Sequence, residues 1–212
     1  SSPKIRRAED ASENEVANQL SDKKSRGTLV ILLMVFFLFY VGGEANFGNF
    51  ITSYVQESDF GVGEQVPYTI NSLFWGAFTL GRVIAIPITS LWKNRKIITI
   101  DIAVCVSAFL IILAFPNSIV ALGIGAALAG LGMASIFPTM FTYAEQNLRL
   151  TARITSLFYI GISGANMFFS WLIAQLFEKN PFFVMVVLSI LVGIQVLLWG
   201  VIAKVTMKPK TA

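Results

Sequence analysis

Residues 28–54 read TLVILLMVFFLFYVGGEANFGNFITSY, and this stretch decides the fold. From Leu29 to Val41 every side chain is apolar or aromatic. A helix needs about 20 mostly apolar residues to cross the hydrocarbon core of a bilayer, and this run has the length. It is continuous where a barrel strand would alternate, so it reads as a helix that pairs all its backbone groups internally. Five more stretches meet the same test: Pro67–Leu91, Ile97–Phe115, Ser118–Tyr143, Ile154–Phe177 and Phe182–Ala203. The expected fold class is an all-α membrane protein, a six-transmembrane-helix bundle.

Composition agrees. The 212 residues are 55% hydrophobic and 13% charged, where a soluble domain carries about 25% charged residues. The mean hydropathy is +0.71. With no histidine and one cysteine, Cys105, the chain can build neither an imidazole metal site, a Ser–His or Cys–His nucleophile pair, nor an internal disulfide. No cofactor is expected.

Three regions follow: a charged segment at 1–27, the bundle at 28–203 and a basic tail at 204–212. The first is read as a flexible cytoplasmic segment with a short amphipathic helix around Glu13–Leu20. Its mixed charges argue against nucleic-acid binding. It starts at Ser1 and lacks the basic and short apolar regions of a signal peptide. The expectation is a piece of a longer protein.

Basic residues set the orientation. Lys4, Arg6, Arg7, Lys23, Lys24 and Arg26 precede the first span. Lys93, Arg95 and Lys96 follow the second, Arg149 and Arg153 the fourth, and Lys204, Lys208 and Lys210 the sixth. The alternate loops hold only Lys179, with Glu57, Asp59 and Glu64. Both ends are therefore expected in the cytoplasm.

Ionisable residues inside a span are costly and mark function by default. Two are singled out. Glu44 lies near the midplane of the first span, and Arg82 lies in the second, nine residues before Leu91. Asn46 and Asn49 follow Glu44, and Gly42, Gly43 and Gly48 are expected to loosen that helix. A carboxylate beside amides suits a proton, a sodium ion or a sugar hydroxyl; the competing reading is a structural ion pair. Asn71, Trp75, Phe78 and Arg82 recur at four, three and four residues, one helical face, which reads as a pathway wall or a packed seam. Arg82 is assigned to gating or structure. Pro138 is expected to kink the fourth span. Ser163, Asn166, Ser170 and Trp171 add a polar strip to the fifth, suited to solute contact or to hydrogen bonds between helices. Gly123, Gly125, Gly130 and Gly132 read as helix packing. The interrupted spans, taken as the first and fourth, are corresponding members of two three-helix units, a pattern that points to a transporter site.

Four motifs carry a family resemblance over nearly all of residues 28–203. Tyr40-Val41-Gly42-Gly43-Glu44 with Phe47-Gly48-Asn49-Phe50-Ile51 is similar to the seventh helix of the fucose–proton symporter-like and sodium-dependent glucose transporter branch of the major facilitator superfamily. Gly81-Arg82 ahead of Lys93-Asn94-Arg95-Lys96 resembles its eighth helix and the following loop. Ser135-Ile136-Phe137-Pro138-Thr139-Met140 resembles its tenth helix, and Leu150-Thr151-Ala152-Arg153-Ile154-Thr155-Ser156 the start of its eleventh. Two positions depart from the branch: no Asp precedes Lys93, and Ala165-Asn166 stands where relatives carry a glycine and an acidic residue.

The resemblance implies the C-terminal half of a transporter, helices seven to twelve, built as two inverted three-helix repeats. It implies alternating access, a hexose-like solute, coupling to sodium or protons, an N-terminal six-helix half as partner, and the plasma membrane. Glu44, Asn46, Asn49, Asn71, Trp75 and Asn166 are the expected solute contacts. Three other readings compete: a non-transporting scaffold or degenerate paralogue, a self-sufficient six-helix pore or homodimeric carrier, and an intramembrane protease. Gly161-Ile162-Ser163-Gly164 matches the serine motif of the last, but no histidine is present to serve that serine.

Overall fold

A computed structural model describes residues 3–148 and 151–207, with side chains from Gly27 onward except those of Arg153 and Met207. Among the described residues seven helices run α1 (Pro3–Glu57), α2 (Val66–Leu91), α3 (Asn94–Ala114), α4 (Ile119–Ala134), α5 (Ile136–Asn147), α6 (Ala152–Phe177) and α7 (Phe183–Met207). They supply six spans long and apolar enough to cross a membrane: Gly27–Glu57, Val66–Leu91, Asn94–Ala114, Ile119–Asn147, Ile154–Phe177 and Phe183–Thr206. The chain is a multi-pass membrane protein. Each observed span matches its expected range to within about one helical turn of 3.6 residues.

The helix starts and breaks follow local chemistry. Pro67 stands in the first turn of α2, where its missing N–H costs nothing. Ser118 caps α4 by accepting from the Ala121 N–H at 3.2 Å, and Thr151 caps α6 by accepting from Ile154 at 3.4 Å. The fourth span breaks at Ser135, between α4 and α5. Pro138 has no N–H to offer the carbonyl four residues back, at Ala134, where α4 ends.

Two expectations change. The first span is not interrupted: α1 is one helix through Gly42, Gly43 and Gly48. These glycines are notches for neighbours. A Cβ at Gly42 would collide with the Phe169 ring, and one at Gly48 with the Trp75 indole. The charged segment, read as flexible chain, continues that helix back to Pro3. Its Ala, Glu, Lys and Arg content favours helix, and the apolar span supplies a nucleus from which helix extends. Several basic groups behind the orientation lie outside the described side chains: those of the amino-terminal segment, Arg149, Arg153, Lys208 and Lys210.

The packing is two-fold. α1 packs on α6 and α7, whereas α4 packs on α2 and α3. Exchanging the first span with the fourth, second with fifth and third with sixth maps one set onto the other, and the α3–α7 contact maps onto itself. This is the pattern of an inverted repeat, which the α1–α2 contact departs from, since neither α4 nor α5 packs comparably on α6. Its close approaches use the glycines of α4 in two stripes. Gly123 and Gly130 face α2: a Cβ at Gly130 would collide with the Phe74 carbonyl and lie 3.0 Å from the Phe78 nitrogen. Gly125 and Gly132 face α3: a Cβ at Gly132 would lie 2.9 Å from the Asp101 carbonyl and 2.8 Å from Cys105 Sγ.

Aromatic rings fill the interior around α1. Phe47 meets Phe74 at 4.8 Å and Phe109 edge-on at 5.7 Å; Phe37 meets Phe137 at 5.1 Å and Phe158 at 5.6 Å. Large apolar side chains such as Ile86, Ile160, Met167 and Leu197 point outward, as expected where lipid tails are the solvent. Alternating spans bring the start of the first span and the end of the last to one end of the bundle. There Trp199 Nε1 donates to Thr99 Oγ1 at 3.0 Å, and Tyr143 and Thr206 share a close hydroxyl contact. Lys96 sits 4.0 Å over the Trp92 ring at the same end, an arrangement suited to a membrane interface.

Candidate functional site

The first two spans meet along an antiparallel seam of polar pairs. Asn71 Nδ2 donates to Thr52 Oγ1 at 3.1 Å. One turn along α1, the Trp75 ring covers Gly48. One turn further, Glu44 lies within electrostatic reach of Arg82. The face Asn71, Trp75, Phe78, Arg82 is thus a real strip of α2 laid along α1. It is both seam and wall: Trp75 stays 40% exposed, and the Arg82 guanidinium, 4.4 Å over the Phe78 ring, is exposed as well.

Glu44 is half-buried and also within hydrogen-bonding reach of the Tyr40 hydroxyl, one turn earlier on α1. Tyr40 itself is fully buried and donates to the Met133 carbonyl at 2.7 Å. The carboxylate therefore feels an arginine from α2 and lies one turn from a tyrosine that reaches α4.

The three polar residues of the first span do not share a face. At 3.6 residues per turn, Glu44 and Asn49 project about 140° apart. Asn49 is exposed. Asn46 is fully buried, donating to the Gly42 carbonyl at 2.7 Å and accepting from Ser170 Oγ at 2.7 Å. Its carboxamide ties α1 to α6. Ser170 thereby follows the hydrogen-bonding reading of the fifth-span strip, while Ser163 and Trp171 are exposed. Asn166 is half-buried, and its Oδ1 is enclosed without a hydrogen-bond partner, as is the Oδ1 of Asn71. Pro138 is exposed, three residues beyond the break at Ser135.

Sequence reasoning passed over a third ionisable residue within the spans. Asp101, half-buried on α3, accepts from Ser135 Oγ at 2.5 Å at the break of the fourth span. The rule that flagged Glu44 and Arg82 applies equally to a lone Asp in Ile98–Ile102. Gln195 on α7 was also missed; it is buried near Gly43, and its Nε2 has no acceptor.

This chain is similar to known transport proteins. The family model described as Major Facilitator Superfamily matches residues 2–170. Major facilitator superfamily domain-containing protein 4A of Homo sapiens is 32% identical over 147 residues, 69% of this chain and 29% of that protein. Sodium-dependent glucose transporter 1A of Mus musculus is 34% identical over 145 residues, 68% of this chain and 34% of the relative. Sodium-dependent glucose transporter 1 of Homo sapiens is 31% identical over 159 residues, covering 74% and 30%. The chain spans about a third of the length of the curated relatives it matches.

Proposed function

The chain belongs to the Major Facilitator Superfamily, and from that premise we propose that it is the C-terminal half of a secondary transporter for a hexose-like solute. Coupling is to sodium or protons, and the N-terminal six-helix half of the same protein is its partner. The reading places both termini in the cytoplasm and the protein in the plasma membrane. The observation that carries it is Glu44, a half-buried carboxylate inside a span, within electrostatic reach of Arg82 and one turn from Tyr40. A carboxylate there is expensive unless it has work to do.

The roles differ among the polar residues. Trp75 offers a partly exposed indole, an apolar platform for the face of a sugar ring, and Asn49 an exposed amide for its hydroxyls. Asn71 and Asn166 each hold an enclosed, unpartnered carbonyl oxygen that a hydroxyl or cation can satisfy once the wall opens. Asn46 already uses its amide within the bundle and positions α1 against α6. Glu44 supplies the charge that a coupling cation neutralises. Relatives named as sodium-dependent glucose transporters support the hexose and the cation.

The test is Glu44→Gln in the complete protein, reconstituted in liposomes under an inward sodium or proton gradient. Losing a charge-assisted interaction lowers gradient-driven uptake about 10- to 100-fold, with equal protein incorporated. Uptake kinetics equal to wild type would remove Glu44 from the mechanism.

A further inference from the structure

The break in the fourth span is gripped from two sides. On one side, Ser135, the residue at the break, directs its hydroxyl to Asp101 on α3. A mid-span serine otherwise bonds back to the carbonyl four residues earlier in its own helix. Gly132 lets the α3 backbone come close enough, with the Asp101 carbonyl 2.9 Å from where a Cβ would stand. Among the described residues Asp101 forms no ion pair, and the side chain that meets its carboxylate is a hydroxyl. On the other side, Tyr40 on α1 donates to the Met133 carbonyl. In an uninterrupted helix that carbonyl accepts from the Phe137 N–H, four residues on. Tyr40 therefore ties α1 to one lone pair of the last turn before the break, at a carbonyl that has two.

Tyr40 has one proton to donate and gives it to the Met133 carbonyl, while the Glu44 carboxylate stands four residues on, along the same face of α1. We propose that Tyr40 and Asp101 are positioning residues that hold the fourth span in its broken form, and that the Tyr40 hydroxyl couples this break to Glu44. With Glu44 neutralised by a bound cation, the hydroxyl stays on Met133 and the break persists. With Glu44 free and charged, the hydroxyl turns to the carboxylate, and the tie from α1 to the segment before the break is lost. Of the other titratable groups facing Glu44, Arg82 comes from α2 and Cys105 from α3. The coupling rests on the transport reading of Glu44; the grip on the break does not.

Two measurements on the complete protein test this separately. In liposomes, Tyr40→Phe and Ser135→Ala lower maximal uptake roughly 2- to 30-fold, the span expected when coupling in a two-state element is altered. KM for the sugar stays near wild type, and Ser135→Thr, which keeps the hydroxyl, restores uptake. In a background free of other cysteines, spin labels at Gln146→Cys on α5 and Val201→Cys on α7 report the position of the segment beyond the break. Wild type gives one distance population, and Tyr40→Phe and Ser135→Ala each add a second. An unchanged distance distribution in both variants overturns the grip. A changed distribution with unchanged maximal uptake overturns the positioning role. If wild-type protein moves no sugar, the transport reading falls, and the distances still decide whether these side chains hold the break.

Discussion

At the scale of single residues, polar atoms inside the bundle are arranged by what they can reach. Asn46 and Ser170 show the consequence for stability. Hydrogen bonds between helices in a membrane protein are worth about 0.6 kcal/mol on average, so Ser170→Ala lowers stability in detergent by about that amount. Asn46→Ala does more, because it removes a buried side chain and strands the Ser170 hydroxyl; a loss of about 1–3 kcal/mol is expected. Thermal unfolding of the purified protein measures both, and equal losses would contradict the assignment. Glu44 and Arg82 were legible in the sequence because a charge in an apolar run is conspicuous. The partners of the break were not. Tyr40 finds Met133 93 positions away and Ser135 finds Asp101 34 away, distances at which no local spacing rule operates. Asp101 itself was legible in principle, by the rule already used for Glu44.

At the scale of helices, hydropathy alone located the spans, since length and apolarity are what the bilayer demands of each segment. The spacing of Asn71, Trp75, Phe78 and Arg82 identified the strip of α2 that meets α1. The glycines were harder to read. A glycine in a polar-leaning helix suggests weakness, yet backbone hydrogen bonds have no competitor in lipid, so α1 stays continuous and its glycines serve as notches. Among the described residues one span is broken, at Ser135 ahead of Pro138, whereas Pro87 stands inside α2 without breaking it. This gives a contrast in α4 and α7. A methyl at Gly130 strikes the α2 backbone, which cannot yield, so Gly130→Ala lowers folded yield and thermal stability sharply. Gly200 has open space around it, and Gly200→Ala is neutral or stabilising by up to about 1 kcal/mol. Detergent-stable yield from parallel expressions checks the pair; equal behaviour would refute the two-stripe packing.

At the scale of the whole molecule, the two-fold exchange of contacts gives the bundle its logic. The first and fourth spans occupy equivalent places. One carries Glu44 in an unbroken helix; the other carries the break and borrows a hydroxyl from the first. Sequence showed the six spans, and the family resemblance implied two inverted three-helix repeats, whose pairing the helix contacts then display. The exposed strip of Trp75 and Arg82 is the wall that the account assigns to a solute path shared with a second half. Labelled glucose uptake into proteoliposomes measures this most directly, comparing the complete protein with residues 1–212 alone under an inward sodium or proton gradient. The account predicts accumulation above equilibrium by the complete protein, abolished when the gradient is collapsed, and none by the six-helix chain. Glucose accumulation by the six-helix chain alone, or none by the complete protein under either gradient, would contradict it.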